Sequence, residues 1–411
     1  MKRFAISTIF AAVAFSALAL PSIENVRIAV SPGAKRIGVT YDLKGSPAIV
    51  TLKFLTNGVP VDAARSAVAT GDVFRRVPVG DGHVILWKPR AAWPDVDRIP
   101  LPGLQAELTA WAPDNPPDYM VADLSDGATS NDVRWYASED AIPGGLTENS
   151  AYWTNNIVFR RIHAAERPFV KGSAINLLVS PVFPTNDFYM AVFETTWGQW
   201  KAITGRSISG LSFSGGDQAL RRPACGVSYN ALRGEGVSPT SEPALGSFID
   251  TVRGRTGLAI DLPGENDWEF ACNAYCPNGF WGDGSRVEDN YVTDSATIPG
   301  RSRYNGGWEM IDNGDGSVTT NSSPNASSSA GTAPAATYSP NLFGLYDMHG
   351  NVAEWCREAY DGSTMVVKGG NWNTYSYSCQ SYQRSGVVPG STSYYYGFRL
   401  WAPIPASITD R

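Results

Sequence analysis

Five cysteines are the most reactive side chains of this sequence: Cys225, Cys272, Cys276, Cys356 and Cys379. In an oxidising compartment such residues form disulfides, whereas a thiolate elsewhere acts as a nucleophile or a metal ligand. Because five is an odd number, at most two bridges form and one thiol is left over. Cys272 and Cys276 stand one helical turn apart at a predicted helix end. They pair with each other, or one of them pairs with Cys225, and the sequence leaves both options open.

Two carboxylates, Asp347 and Glu354, lie in a segment with several glycine and asparagine residues, 344–355. Its turns would aim both side chains and nearby carbonyl oxygens at one point, and calcium takes about six to eight such oxygen ligands. The alternative is a pair of carboxylates that accept hydrogen bonds from backbone amides. A second acidic run, residues 312–316, is a possible cation loop, although short runs of this composition more often form plain turns.

The stretch 371–396 is rich in tyrosine, serine and asparagine. Tyrosine offers a large amphipathic contact area at low entropic cost, and serine and asparagine adapt their hydrogen bonds to a ligand. Alternatively, the tyrosines only fill a loop-rich fold. The candidate ligand-binding residues are Trp372, Tyr375, Tyr377, Tyr382, Tyr394, Tyr395 and Tyr396.

Other catalytic patterns are missing from the sequence. The three histidines, His83, His163 and His349, stand in unrelated contexts, so no histidine-rich metal site is expected. We find no serine–histidine–aspartate pattern and no phosphate-binding loop. Arg399, beside Phe398, is expected to form a buried pair with a carboxylate.

The composition limits the protein class. The 411 residues are 43% hydrophobic and 18% charged, and the formal net charge is −6. A nucleic-acid-binding protein would show a basic face, so no nucleic-acid partner is expected. Residues 1–20 resemble a secretory signal peptide, with Lys2 and Arg3 before a short apolar run. That run could instead be a buried element of the mature chain. We expect a secreted or periplasmic protein with no membrane span once the signal is removed.

The sequence predicts two domains, which together position the candidate residues. Residues 21–117 contain short runs rich in β-branched and aromatic residues, separated by turn signals, which predicts a small all-β sandwich of immunoglobulin-like architecture. The predicted strands are 26–30, 37–41, 49–55, 84–87 and 104–111. The proline-rich segment 113–117 is a rigid, polar hinge, at which we place the domain boundary.

The second domain, 118–405, has two predicted helix starts and much irregular chain. Thr196 and Gln199 match a capping box, and the run that begins at Leu262 places acidic residues in the first turn of a second helix. Residues 311–336 contain few apolar residues and are predicted to form a long surface loop.

Ordered motifs in this second domain resemble one family. They are MAVFETTWGQW at 190–200, VSYN at 227–230, LPGENDWEFA at 262–271, NLFGLYDMHGNVAEW at 341–355, KGGNW at 368–372 and GFRL at 397–400. Together these motifs resemble the formylglycine-generating enzyme (sulfatase-modifying factor) family. The resemblance implies an α+β, loop-rich variant of the C-type lectin fold, preceded here by the β-sandwich.

The resemblance also implies sites. Its calcium ligands would be the side chains of Asp347 and Glu354 and the carbonyls of Gly350 and Val352. The family's oxidases bind copper through two cysteines after the Gly-Gly pair. Counted from Gly369, these positions are Thr374 and Cys379, so only one thiol is present and copper is not expected.

Cys379 is therefore the one candidate catalytic residue, and a disulfide between Cys356 and Cys379 is the favoured alternative use of its thiol. We expect a secreted, non-catalytic module that binds an unknown protein, peptide or small molecule through its tyrosine-rich face. The alternatives are an oxidoreductase of the same family with an altered active site, acting on a peptide or small molecule, and a structural envelope protein.

Overall fold

The computed structural model describes residues 19–31, 35–95, 99, 101–172, 180–206, 218–274, 309–312, 318–321, 331–374 and 376–405. Nearly all of the predicted signal peptide lies outside these residues, as do Cys276, Tyr375, the side chain of Tyr377 and most of the acidic run 312–316.

The N-terminal region is a sandwich of two antiparallel sheets, and the five predicted strands correspond to β1, β2, β3, β7 and β8. In β2, alternate residues from Ile37 to Leu43 are buried because successive side chains point to opposite faces of a strand. One sheet has the order β1-β2-β7-β5; in the other, β3 pairs with β8 on one side and with β4 and β6 on the other. The elements are β1 Ser22–Ser31, β2 Arg36–Lys44, β3 Ala48–Thr56, β4 Val59–Pro60, α1 Ala63–Ser66, β5 Thr70–Gly71, β6 Arg75–Val77, β7 Gly80–Trp87, α2 Pro89–Ala92 and β8 Gln105–Trp111.

The C-terminal region combines two larger sheets with short helices. A five-stranded sheet has the order β10-β9-β11-β14-β21, so that the end of the chain pairs with strands from the start of the domain. A second sheet, β19-β18-β17-β20, contains a parallel pair, β17 with β20. The strands are β9 Tyr119–Asp123, β10 Val133–Tyr136, β11 Asn156–Ile162, β12 Phe169–Lys171, β13 Ser180–Val182, β14 Phe188–Ala191, β15 Glu309–Asp312, β16 Val318–Asn321, β17 Ala353–Ala359, β18 Met365–Lys368, β19 Arg384–Val387, β20 Tyr396–Gly397 and β21 Trp401–Pro403.

Both predicted helix starts are confirmed. The helices of this region are α3 Trp197–Thr204, α4 Tyr229–Arg233, α5 Phe248–Thr256 and α6 Glu265–Asn273. At α3 the Gln199 backbone N–H donates to Thr196 Oγ1 at 3.3 Å, and Gln199 Oε1 accepts from the Thr196 N–H at 2.9 Å. This reciprocal capping box fixes where the helix begins.

The predicted surface loop at 311–336 is only partly a loop. β15 and β16 pair as two antiparallel strands within and just before it, with Glu309 opposite Asn321. The β-branched residues Val318, Thr319 and Thr320 favour an extended chain, a signal that the polar composition hid.

The predicted hinge at 113–117 is attached to the second domain. Arg161 Nη1 donates to Asn115 Oδ1 at 2.8 Å and to the Pro116 carbonyl at 2.6 Å, and the Tyr189 hydroxyl donates to the Pro117 carbonyl. Side chains of both regions, such as Val50 and Val121, also belong to one buried apolar cluster. The sequence boundary is therefore not a free joint between the two units.

Across the described part of the chain, no helix has the length and apolar character needed to cross a bilayer.

Candidate functional site

The segment that carries the strongest motif folds as a series of tight turns before β17. Asp347 and Asn351 adopt left-handed backbone angles, with φ of 57° and 60°. Non-glycine residues reach this region at a cost that their surroundings must offset. Asn351 Oδ1 accepts from the Ala333 N–H at 2.8 Å, and Asn351 Nδ2 donates to Glu194 Oε2 at 2.5 Å. These bonds hold the turn in place.

Glu354 lies at the centre of the domain and is fully engaged. Arg399 Nε lies 2.7 Å from Glu354 Oε2, and Arg399 Nη2 lies 2.7 Å from Oε1. Trp268 Nε1 donates to Oε2 at 2.6 Å. Both side chains are buried, so the predicted buried pair of Arg399 with a carboxylate is confirmed. Arg399 also donates to the carbonyls of Ala191 and Tyr346, which ties together the two sides of the domain.

The Asp347 carboxylate has one oxygen free to accept a further ligand within the described residues. Its Oδ2 accepts from the Ala336 N–H at 3.2 Å, whereas its buried Oδ1 has no hydrogen-bond partner within the described residues. Burial raises the pKa of Asp347 to about 7. Burial, together with Asp347 and Glu354, also raises the pKa of the fully buried Glu194 well above its ordinary value. Three buried carboxyl groups thus interact with the Arg399 guanidinium, and a bound cation would stabilise their ionised forms.

The predicted calcium ligands fit such a cation unequally. The orphaned oxygen of Asp347 suits a hard cation. Glu354 is a poorer candidate, because both of its oxygens already accept from Arg399 and Trp268. Gly350 donates its N–H to the Gly369 carbonyl at 2.7 Å, which fixes the turn on which the Gly350 carbonyl lies. In the described part of the chain, no group of three His, Cys, Asp or Glu side chains converges as a ready metal site.

The candidate thiol site, formed by Thr374 and Cys379, follows strand β18 in the sequence. Cys379 ends a short 3₁₀ turn, Ser376–Cys379, and its Sγ lies 3.6 Å from Thr374 Oγ1. The two positions counted from Gly369 are therefore in contact, and a hydroxyl stands beside the single thiol. Thr374 Oγ1 accepts from the Asn371 N–H and donates to the Asn371 carbonyl, both at 2.9 Å, so its position is fixed.

The Cys379 thiol is closed to solvent. Its residue is fully buried, and burial raises the pKa of the thiol to about 12. A Cβ at Gly370 would lie 2.7 Å from its Sγ, so only glycine permits this close approach. A thiol kept protonated and buried is neither a good nucleophile nor a good metal ligand.

Sequence reasoning missed the neighbours of this site. His349 Nδ1 lies 2.8 Å from the Cys379 carbonyl and, because a carbonyl only accepts, carries the proton. Cys272 Sγ lies 3.7 Å from the same imidazole. Cys272 follows Trp268 by four residues and so lies on the same face of α6. That spacing was a usable signal for Cys272, and His349 lies within the motif 341–355, although nothing in the sequence indicated its contact with Cys379.

The predicted disulfide is not formed in this structure. Cys225, Cys272, Cys356 and Cys379 are all present as thiols. Cys356 lies on β17 in a buried cluster with Trp268 and Val366, and this cluster does not include Cys379. The structure thus gives the predicted pairing no support.

The aromatic residues of 371–396 lie in more than one environment. The rings of Trp372 and Tyr395 lie 5.4 Å apart, and Trp372 Nε1 donates to the Tyr394 carbonyl at 3.4 Å. Asn373 Nδ2 donates to the Tyr395 hydroxyl at 3.1 Å. We call Trp372, Asn373, Tyr394 and Tyr395 the aromatic face.

Two other predicted residues do not belong to the aromatic face. Tyr396 packs with its ring 5.5 Å from the buried Trp355. Tyr382 donates its hydroxyl hydrogen to Gln380 Oε1. Tyr375 and the side chain of Tyr377 cannot be placed because they lie outside the described residues.

Comparisons with known proteins agree with this architecture. The chain is 27% identical to a formylglycine-generating enzyme of Thermomonospora curvata over 208 residues, which is 43% of this chain and 62% of that enzyme. It is 25% identical over 213 residues to the chaperone protein LppX of Paenibacillus barcinonensis, 46% of this chain and 70% of that protein. The bovine formylglycine-generating enzyme is 26% identical over 38% of this chain and 42% of its own length. The chain thus covers less than two thirds of both enzymes.

Solved structures are matched at lower similarity. Treponema denticola variable protein 1 superposes with a TM-score of 0.43 at 18% identity, covering 60% of this chain and 95% of that chain. PvdO from Pseudomonas aeruginosa gives 0.42 at 17%, covering 60% and 94%. The family model described as a sulfatase-modifying factor enzyme 1-like domain matches residues 181–403, more than half of the chain. The protein therefore belongs to the sulfatase-modifying factor family.

Proposed function

We propose that this protein is a binding module that uses the family fold without the family's oxidase chemistry. The observation that carries the proposal is the contact of Thr374 with Cys379, 3.6 Å apart, where an oxidase would have two thiols. A soft Cu(I) ion prefers a pair of thiolates. A hydroxyl bound to the backbone and one buried thiol do not supply that pair.

The aromatic face is the proposed binding surface. Tyr394 is 45% exposed, and Trp372 and Tyr395 are half-buried, so that the rings are both accessible and held in place. Rigid aromatic side chains with amide neighbours bind ligands at a small entropic cost. The relative named as a chaperone is in keeping with a binding role in this family.

The ligand we propose is a protein, a peptide or a small molecule outside the membrane. The apolar run near the N-terminus supports export to the periplasm or the cell exterior. Calcium is proposed as a structural ion held by Asp347, with the carbonyls of Gly350 and Val352 and, less freely, Glu354. It would stabilise the turn beneath the thiol site rather than react.

An altered oxidoreductase is the competing proposal, because Cys379 keeps its family position next to the Gly-Gly pair. The two proposals differ in one assay. The purified protein is incubated with Cu(I), oxygen and a cysteine-containing peptide, and mass spectrometry measures conversion of the thiol to an aldehyde. We expect no conversion, while the Thermomonospora curvata enzyme serves as the positive control. Conversion by this chain would overturn the proposal.

Binding is tested separately. An array of peptides and glycans is probed with wild-type protein and with the Trp372→Ala and Tyr395→Ala variants. Tyr360→Ala is the matched control, since Tyr360 is 42% exposed and belongs to no part of the aromatic face. We expect each face variant to weaken the strongest interactions at least about tenfold, which is about 1.4 kcal/mol. Equal binding by all four proteins would contradict a role for this face.

A further inference from the structure

A cleft of about 680 Å³ opens where β14 pairs with β21, and it shares no residue with the aromatic face. Its volume suits a small organic group or the side chain of a bound peptide. Its walls come from the domain linker, the turn before β14, the first turn of α6 and the end of the described chain. Its apolar wall consists of Pro184, Phe188, Trp401, Pro403, Ile404 and Pro405.

The only positive charge among the lining residues is already used. Arg161 Nε and Nη2 lie 3.0 and 2.8 Å from Asp187 Oδ2, and its Nη1 binds the domain linker. Asp187 also accepts from His163 Nδ1 and the Ala165 N–H. The charges of Arg161 and Asp187 in this wall are therefore paired with each other. Two further carboxylates, Asp114 and Asp267, line the same cleft and leave it negative.

Asp267 is the more enclosed of the two. It lies in the first turn of α6 close to a second carboxylate: a Cβ at Gly264 would lie 3.0 Å from Glu358 Oε1 and 3.7 Å from Asp267 Oδ2. Glu358 accepts from the Glu265 N–H. The guanidinium of Arg357 attracts the Asp267 carboxylate and lies over the Trp401 ring, 5.8 Å from its centroid, so one cation faces two carboxylates.

We propose that this cleft binds the cationic side chain of an arginine or lysine from a partner peptide. The charged head would pair with Asp267, and the partly exposed indole of Trp401 supplies aromatic surface beside it. The proline and isoleucine wall would contact the apolar stem of the side chain. An anionic ligand would meet Asp114 and Asp267, so the charge of the cleft selects against it.

The test uses two fluorescent peptides of equal shape, acetyl-Gly-Arg-Gly-amide and acetyl-Gly-citrulline-Gly-amide, titrated with the full protein and followed by fluorescence anisotropy. We expect the arginine peptide to bind at least about tenfold more tightly than its neutral analogue. Asp267→Asn should remove that preference, and Asp114→Asn should reduce it. Asp126→Asn, which removes a fully exposed carboxylate elsewhere, should leave it unchanged.

Each result decides the proposal. Equal affinity for the two peptides, or no measurable binding of either, would overturn it. So would an Asp267→Asn protein that keeps the arginine preference. If Asp267→Asn alters the circular dichroism spectrum, the exposed Asp114→Asn variant provides the test instead. A result on this cleft leaves the proposal for the aromatic face untouched, because the two surfaces share no residue.

Discussion

The Glu354–Arg399 pair and the Thr374–Cys379 pair are both reached from strands β17 and β18. They differ in how fully their side chains are bonded and in how well they match the family motif. Glu354 is opposite Lys368 in the β17–β18 ladder, and Thr374 follows that strand by six positions. In the first pair every charged group has partners, and the residues match the family motif. In the second, one residue departs from the motif and the remaining thiol is sealed. The motifs that identify this family therefore hold the fold together, whereas the departure from them at Thr374 lies where our proposal places the loss of oxidase chemistry.

The largest expected effect comes from breaking the first pair. Arg399→Met leaves Glu354 charged, buried and without its guanidinium partner, which typically costs about 3–5 kcal/mol. We expect a large fall in the free energy of unfolding, measured by urea denaturation. Lys44→Met is the control, because its ion pair with Asp81 is exposed and screened by solvent, so that its loss should change the stability little. Similar losses in both variants would mean that the Glu354–Arg399 pair is not central to stability.

Adding calcium tests whether the carboxylates around the Glu354–Arg399 pair bind a cation. A ligand that binds only the folded state, at about a hundred times its Kd, stabilises it by about 2.7 kcal/mol. Wild-type protein should therefore melt several degrees higher in calcium than in EDTA, by calorimetry. Asp347→Ala should lose this difference and Asp126→Ala should keep it. Equal melting temperatures of the wild type in both buffers would exclude the calcium proposal.

A third prediction contrasts Glu354, which is paired with Arg399, with Asp267, which lies close to a second carboxylate. Burial and the neighbouring Glu358 raise the pKa of Asp267 to about 6. The folded state therefore holds this proton more tightly than the unfolded state, and the contribution of Asp267 to stability falls as the pH rises from about 4 to about 6. Asp267→Asn should melt above the wild type at pH 7 and level with it at pH 4. A difference that does not change with pH would contradict this account.

The smallest effect is expected for Thr374→Val. It removes the hydroxyl that accepts from the Asn371 N–H and donates to the Asn371 carbonyl. Losing such bonds costs about 1 kcal/mol. Urea denaturation should show this modest loss, with Thr70→Val as the control, because the exposed Thr70 hydroxyl donates only one long hydrogen bond, 3.4 Å to the Leu86 carbonyl. A loss of stability as large as that of Arg399→Met would mean that the Thr374–Cys379 pair contributes as much to stability as the Glu354–Arg399 pair.

Sequence patterns predicted the elements that depend on local signals. The β-branched and aromatic run at 37–41 and the capping box at Thr196 are such signals, and both predicted elements were confirmed. The pairing of Arg399 with a carboxylate was predicted, but its partner was not, because Glu354 and Arg399 are brought together only by the fold. His349 beside Cys379 and the buried Glu194 are contacts of the same kind. For Glu194, the one local hint was that a charged residue lies within an apolar run.

The polar composition of 311–336 misled the prediction in a different way. Average composition hid the β-branched run 318–320, and β15 and β16 pair with each other across a short connection. The proline-rich segment 113–117 accepts a hydrogen bond from Arg161, a residue distant in sequence that the segment itself did not indicate.

The most direct measurement of the central claim is Cu(I) titration of reduced wild-type protein and of Thr374→Cys, in competition with a chromogenic chelator. Our account predicts no stoichiometric copper binding by the wild type and a gain of one Cu(I) per chain in Thr374→Cys, since the two positions already lie in contact. Thr374→Cys combined with Cys379→Ser should lose that gain. Stoichiometric copper binding by the wild type, with loss in Cys379→Ser, would contradict the account and restore the oxidoreductase proposal.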